Sequence, residues 1–346
     1  MIPLADATAD TDPVAVAVRQ FGSPDSAGRW HYSTSDVLSC DDHGLLGAVA
    51  HVLDAGRLEM SDDARAVTAT LCERATSEAV LLESRAAAAI DTLHQRGMRT
   101  RVLKGVAAAH VDYEDPTIRQ FGDIDLLVRG DEMADAVATF VGLGYTRHFA
   151  EPFAGFDEHI GKGVAVEDRS RTVIDLHRTL ALGYYGTRLP VTDLWDDPTP
   201  FELAGASMYA LSPLHRFVHA ALHLALSPMR KISNGLDLCT IVRRTPELSA
   251  SAIIDVAERW GCARPIALAI GATTEWFGDD WAPPGLIDWC NQRTITLADR
   301  VVMSTYDGTL ANSRLRSAAA VVGLRSAAER RRAMRGLVAR GHHERE

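Results

Sequence analysis

Long apolar runs are missing from this sequence. Nowhere do about 18 uninterrupted apolar residues occur, the length a spanning helix requires, so no membrane partner is expected. Paired cysteines are missing as well. The five present, Cys40, Cys72, Cys239, Cys262 and Cys290, are odd in number and far apart. That spacing excludes both a disulfide framework and a zinc ribbon. No basic residue precedes Arg19, and the amino terminus lacks the apolar run of a signal peptide. A reducing cytoplasm is the expected location. Positive charge is scarce: the formal net charge of -10 repels polyanions and excludes nucleic-acid binding spread over the whole surface. The exception begins at Arg314, after which nine arginines face three glutamates. This tail suits contact with RNA or an acidic partner, although Arg330-Arg-Arg332 and Arg335 read more simply as a solvated face. The six tryptophans are scattered, not interleaved with basic residues, and read as core or cleft packing.

What is present is ordinary globular usage, 47% hydrophobic and 24% charged over 346 residues, enough for two domains or one with helical additions. Residues 1–40 mix Asp, Ser, Pro and Gly and read as an irregular lead-in. Helical spacing of Leu71, Ala75, Ala79, Leu82, Ala86 and Ala89 predicts helices over 44–96, ending near Gly97. A strand follows at 100–104, a helix at 105–113, a loop at 114–122 and the clearest strand at 123–128. A helix from Asp131 to Leu143, and strands near 145–149, 163–167 and 172–177, complete a small mixed sheet. Beyond Pro213 the pattern is helical, with helices predicted at 214–226, 235–244, 252–259 and 263–277.

Side chains alternate along a strand, so Asp123 and Asp125 project to one side while Ile124 and Leu126 face a core. Two adjacent like charges are costly unless a cation neutralises them, and hard oxygen donors suit Mg²⁺, or Mn²⁺ in its place, bound to a triphosphate. Taken alone, such a pair also suits capping of a neighbouring turn. The context is a second strand, Val173-Ile-Asp-Leu-His177, on which Asp175 and His177 share a face. Three carboxylates holding two metals about 4 Å apart support nucleotidyl transfer. His177 reads as a structural histidine rather than a ligand. Upstream, Lys104-Gly105 closes a strand and opens a helix, a geometry that receives phosphate on backbone N–H groups. Arg119 suits either the triphosphate or the acids. His215, His219 and His223 stack along one helical face, but the apolar neighbours Leu214, Val218 and Leu222 favour packing over a metal site. Asp237 reads as a cap or salt bridge within the helical segment.

Together, Val102-Leu-Lys-Gly105, Tyr113, Arg119, Asp123-Ile-Asp-Leu-Leu-Val128, Gly144-Tyr145 and Ile174-Asp-Leu-His177 resemble an uncharacterised bacterial nucleotidyltransferase family of the polymerase-β-like superfamily. The resemblance covers residues 80–245, and extends weakly to Leu211-Ser-Pro-Leu214 and Asp237-Leu238. It implies an α+β fold: a palm-like core with a small mixed β-sheet, preceding helices and a C-terminal helical domain. The corresponding division is 1–40 lead-in, 41–205 core, 206–312 helical domain and 313–346 basic helical tail. It also implies that Asp123, Asp125 and Asp175 are metal ligands and that Lys104 and Gly105 border the triphosphate. Val106 stands where many superfamily members have serine. The expected activity is transfer of AMP from ATP to a hydroxyl of a small molecule, a protein or peptide, or a tRNA end, with Asp175 also as general base. A non-catalytic nucleotide-binding module and a phosphotransferase are the alternatives.

Overall fold

The computed structural model describes residues 31–335 except 57, 228–230, 307–309, 325, 328 and 332. The first thirty residues of the lead-in, Arg332 and the arginines beyond Arg335 therefore lie outside the described residues. In chain order the elements begin with β1 (His31–Tyr32), α1 (Thr34–Asp42), α2 (Leu46–Asp54), β2 (Glu59–Met60) and α3 (Asp62–His94). The helical region thus starts before the expected position 44. β1 and β2 pair in parallel as a separate two-stranded sheet.

Next come β3 (Arg101–Val102), α4 (Lys104–Val111), β4 (Ile124–Leu127), α5 (Met133–Gly142), β5 (Thr146–Arg147), α6 (Phe156–His159), β6 (Gly163–Glu167) and β7 (Val173–His177). α7 (Gly183–Arg188) leads to a hairpin of β8 (Thr199–Leu203) and β9 (Ala206–Ala210). Seven of these strands form one mixed sheet in the order β5-β6-β7-β4-β3-β9-β8. β4 runs parallel to β7 and antiparallel to β3, while β9 joins β3 in parallel. The expected boundary after 205 falls in the turn of this hairpin, so the sheet extends to Ala210.

One face of the sheet is apolar for a reason visible in its alternation. Ile124, Leu126 and Val128 of the central strand region, with Ile174, Leu176, Val164 and Val166, are buried together. Ile90 and Leu93 of α3 and Met133, Val137 and Phe140 of α5 cover them. α3 is long enough to serve two cores: its first turns, Ala64 and Leu71, pack with α1 and α2 in another cluster. Its start is fixed by Ser61, whose hydroxyl accepts from Ala64 N at 3.2 Å.

The opposite face meets the helices that follow: α8 (Pro213–Leu226), α9 (Ile232–Arg244), α10 (Ala250–Arg259), α11 (Ala263–Phe277), α12 (Leu286–Asn291) and α13 (Leu297–Ser304). Ser212 caps α8 and Pro213 occupies its first turn. Phe217, Val218, Ala221 and Leu222 of α8 pack with Ile253, Trp260, Ile266 and Ile270, and the same cluster reaches Leu103 and Leu127 on the sheet. A further helix, α14 (Leu310–Gly323), returns to α7, where Thr187 Oγ1 donates to Ala320 O at 2.8 Å.

Candidate active site

The pairing of β4 with β7 sets the site. In that parallel register Asp125 lies opposite Asp175 and Leu127 opposite His177. Because neighbouring strands are about 4.8 Å apart, register alone brings two carboxylates side by side on the face away from the apolar core. Asp123 precedes β4, one residue before the strand begins, and is exposed at the mouth of the site. Asp125, by contrast, is 1% exposed.

Asp125 Oδ1 accepts from Lys104 Nζ at 2.5 Å and lies 2.6 Å from His177 Nε2. The same imidazole nitrogen is 3.1 Å from Asp175 Oδ2. His177, read from sequence as structural, therefore sits between the two acids. Burial works against ionisation of Asp125, yet His177 and Lys104 hold its pKa below the usual carboxylate range. Asp175 is lowered too, where His177 and Lys162 outweigh desolvation and the nearby Asp125. Asp123 moves the other way: although its side chain reaches solvent, the protein packed around the mouth partly desolvates it, and the charges of Asp125 and Asp175 add to the rise. Burial opposes the Lys104 ammonium, but Asp125, Asp123 and Asp175 raise its pKa overall.

Lys162 is a member of this constellation that the sequence reading missed. It directly precedes β6, whose Gly163 lies opposite His177, and its carbonyl accepts from Arg178 N at 2.7 Å. Its pKa is lowered by desolvation and by Lys104, against the pull of the three aspartates. Only the β6–β7 register places it there, so no local motif signals it.

Two backbone features make the approach possible. Lys104 adopts φ 43°, a left-handed conformation that costs a non-glycine residue about 1–3 kcal/mol. Gly105 follows in the first turn of α4, and a Cβ there would fall 2.3 Å from Phe121 Cβ. Absence of a side chain at 105 thus lets the loop carrying Asp123 close over the helix start.

Arg119 forms its ion pair with Asp237 rather than with the site acids. It makes a two-pronged bond to Asp237 of α9, Nε to Oδ1 at 2.7 Å and Nη2 to Oδ2 at 2.9 Å, and Tyr113 donates to the same Oδ1 at 2.8 Å. Asp237 thus bridges to the sheet domain rather than within the helices. The histidines of α8 have different surroundings: His219 is buried with its ring centroid 6.5 Å from that of His177 on the sheet, His215 stacks on Trp260 of the helical domain at 5.1 Å, and His223 reaches the cleft. Desolvation lowers the pKa of all three.

Of the three acids, Asp123 lines a cleft of about 420 Å³, a size that accommodates a small organic ligand. Lys104, Gly105, Arg119, Phe121 and Asp123 form one wall, and Lys231, Ser233 and Asn234 of the α8–α9 region another. Leu71, Arg74 and Glu78 of α3 complete it.

The donor chemistry fits a divalent cation. Asp125, Asp175 and His177 each offer a ligand atom within 4.8 Å of the others, and the second oxygen of Asp125 is buried without a hydrogen-bond partner. An orphaned carboxylate oxygen is what a bound cation would satisfy.

A mixed α+β sheet with acids in register on its central parallel pair, closed by a helical domain, is the class the fold and site define. The model of a family described as uncharacterised nucleotidyltransferase matches residues 38–278, well over half of the chain, and the chain belongs to that family. Among solved structures it is similar to an antigenic nucleotidyltransferase-like protein from Paracoccidioides brasiliensis, with 15% identity and a TM-score of 0.32. That match covers 56% of this chain and 93% of the other. No curated protein matches the chain. No helix among the described residues is long and apolar enough to cross a membrane.

Proposed function

We propose that the protein is a metal-dependent nucleotidyltransferase that transfers AMP from ATP to a hydroxyl of an acceptor in the cytoplasm. The observation that carries this reading is the in-register pair Asp125 and Asp175 beside Asp123, which lines a cleft together with Lys104 and Gly105. In this reading Asp123, Asp125 and Asp175 ligate Mg²⁺ or Mn²⁺. Divalent cations held there would neutralise a triphosphate and acidify a coordinated hydroxyl.

Lys104 and Gly105 border the triphosphate. Lys104 exchanges its contact with Asp125 for a phosphate oxygen, and the first N–H groups of α4 receive another. Arg119, oriented by Asp237, contributes positive potential to the same wall. Asp175 stays ionised through the neutral range and is available to take the acceptor's proton. The helical domain, taken as beginning after the sheet, excludes water from the face it covers. The acceptor is a small molecule, a protein or peptide, or a tRNA end, the last also engaging the arginine-rich tail.

Incubation with α-labelled and γ-labelled ATP and a cell extract tests this. Release of pyrophosphate with α-label on an acceptor supports nucleotidyl transfer. ADP with γ-label on the acceptor identifies a phosphotransferase, and binding without turnover identifies a nucleotide-binding module.

A further inference from the structure

We propose that the inner cation position of this site is a mixed oxygen and nitrogen centre, formed by Asp125, Asp175 and His177, which prefers Mn²⁺ over Mg²⁺. The proposal rests on the metal-dependent reading above, and it distinguishes this inner position from one at the mouth, where Asp123 and a triphosphate would share an ion.

The distances support a coordination set. Ligands in neighbouring positions around an octahedral ion with bonds of about 2.1 Å lie about 3 Å apart. His177 Nε2 is 2.6 Å from Asp125 Oδ1 and 3.1 Å from Asp175 Oδ2, and its side chain is wholly buried, so this nitrogen is held on the two acids away from solvent. Asp123 stands outside the donor set. The arrangement comes from β7 itself: Asp175 and His177 share one face, and Gly163 opposite His177 lets the β6 and β7 backbones approach closely there.

Two orphaned atoms carry the argument beyond the acids. Asp125 Oδ2 is buried without a partner, and so is His177 Nδ1. A histidine that ligates through Nε2 carries its proton on Nδ1 and needs an acceptor there. The neighbouring ring on the helical-domain side is His219, which is 3% exposed, and its Nε2 is also buried without a partner. With the rings edge to face at 6.5 Å, His219 is the positioning residue that receives His177 Nδ1–H, directly or through one water. Three buried polar atoms left unpaired are thereby satisfied by one ion and one contact.

Selectivity follows from the nitrogen. Mg²⁺ demands oxygen donors and retained water, whereas Mn²⁺, which shares its preference for carboxylates, opens the first-row transition series whose affinity for nitrogen donors rises from it. One imidazole among carboxylates therefore tips the choice from Mg²⁺ to Mn²⁺. Three protein ligands leave positions open for substrate oxygens.

The test uses the full chain and Mn²⁺ alone, without nucleotide. Spin-echo modulation of bound Mn²⁺ should show a directly coordinated nitrogen, and the modulation should change isotope pattern when the histidines carry ¹⁵N. His177→Asn should remove it. Titration calorimetry should give Mn²⁺ at least about tenfold tighter than Mg²⁺, and His219→Phe should keep the nitrogen signal while weakening Mn²⁺ about tenfold.

Mn²⁺ bound with oxygen ligands only, retention of the signal in His177→Asn, or equal affinity for Mg²⁺ overturns the proposal. The isotope experiment needs no variant, so it decides even if His177→Asn does not fold. Labelled-ATP turnover is read separately. Turnover without nitrogen coordination refutes this inference alone, and nitrogen coordination without nucleotide chemistry refutes the functional reading alone.

Discussion

Removing Asp237 should strongly destabilise the contact between sheet and helices. Its carboxylate takes both prongs of Arg119 and the Tyr113 hydroxyl, and the two ionic side chains are only 12% and 10% exposed. In Asp237→Ala the guanidinium keeps its bond to Gln120 O but loses its counter-ion, and breaking a buried pair from one side costs about 3–5 kcal/mol. Tyr113, 3% exposed, loses its acceptor at a further cost of about 1–3 kcal/mol. These share one network and do not add fully, so about 4 kcal/mol is expected, or a fall in Tm of roughly 5 °C for a chain of this size.

The assay is thermal unfolding of Asp237→Ala, Arg119→Met and the double variant Arg119→Met with Asp237→Leu. Because apolar residues of similar volume commonly replace a buried ion pair at little cost, the double variant should recover most of the loss, with a coupling energy of about 3 kcal/mol. A loss below about 1 kcal/mol in Asp237→Ala, or effects that simply add, would refute the view that this pair fastens the helical domain to the sheet.

Asp125→Asn should reduce nucleotidyl transfer at least about a hundredfold, and Asp123→Ala should abolish it, as read by pyrophosphate release. Chelation by EDTA should stop the reaction and added Mn²⁺ restore it. Gly163→Ala should destabilise by about 1–3 kcal/mol, because its Cβ would fall 2.2 Å from the Leu176 carbonyl oxygen inside the β6–β7 ladder; denaturant unfolding measures it. For His215 the folded pKa lies below the unfolded value of about 6.5, so the unfolded chain binds the extra proton and stability falls as the pH drops below 6.5. His215→Phe, which keeps the stack on Trp260, should flatten that part of the stability profile, and an unchanged slope in urea titrations at pH 7 and pH 5.5 would exclude the assignment.

How much of this was legible in the sequence depends on how local each cause is. β6 matches its predicted strand, β7 begins one residue late, and α11 matches its helix end to end, since alternation and helical periodicity act over a few residues. The β8–β9 hairpin was not legible. Its first strand contains Pro200, buries only Leu203 fully and lies at the sheet edge, where propensity and pattern are weak. Its turn, Ala204-Gly205, has both residues at positive φ without the Asn-Gly signature of such turns. At the site, the facing of Asp123, Asp125 and Asp175 follows from strand period alone. The contact of Arg119 with Asp237 joins residues 118 apart and has no local signature.

The strongest physical reason to regard the carboxylates as functional is that three unfavourable features meet at one point of an otherwise well-satisfied sheet. Asp125 is buried beside Asp175 in register, although either position would be filled at lower cost by an apolar residue. Lys104 is held at φ 43° in reach of that carboxylate, and Asp125 Oδ2 has no partner. A purely structural origin would require only one of these, for instance a buried ion pair with ordinary backbone geometry. Like-charge proximity, backbone strain and an unsatisfied oxygen coincide where groups are poised for a ligand that completes them. The cleft that opens beside these same residues is where such a ligand would enter.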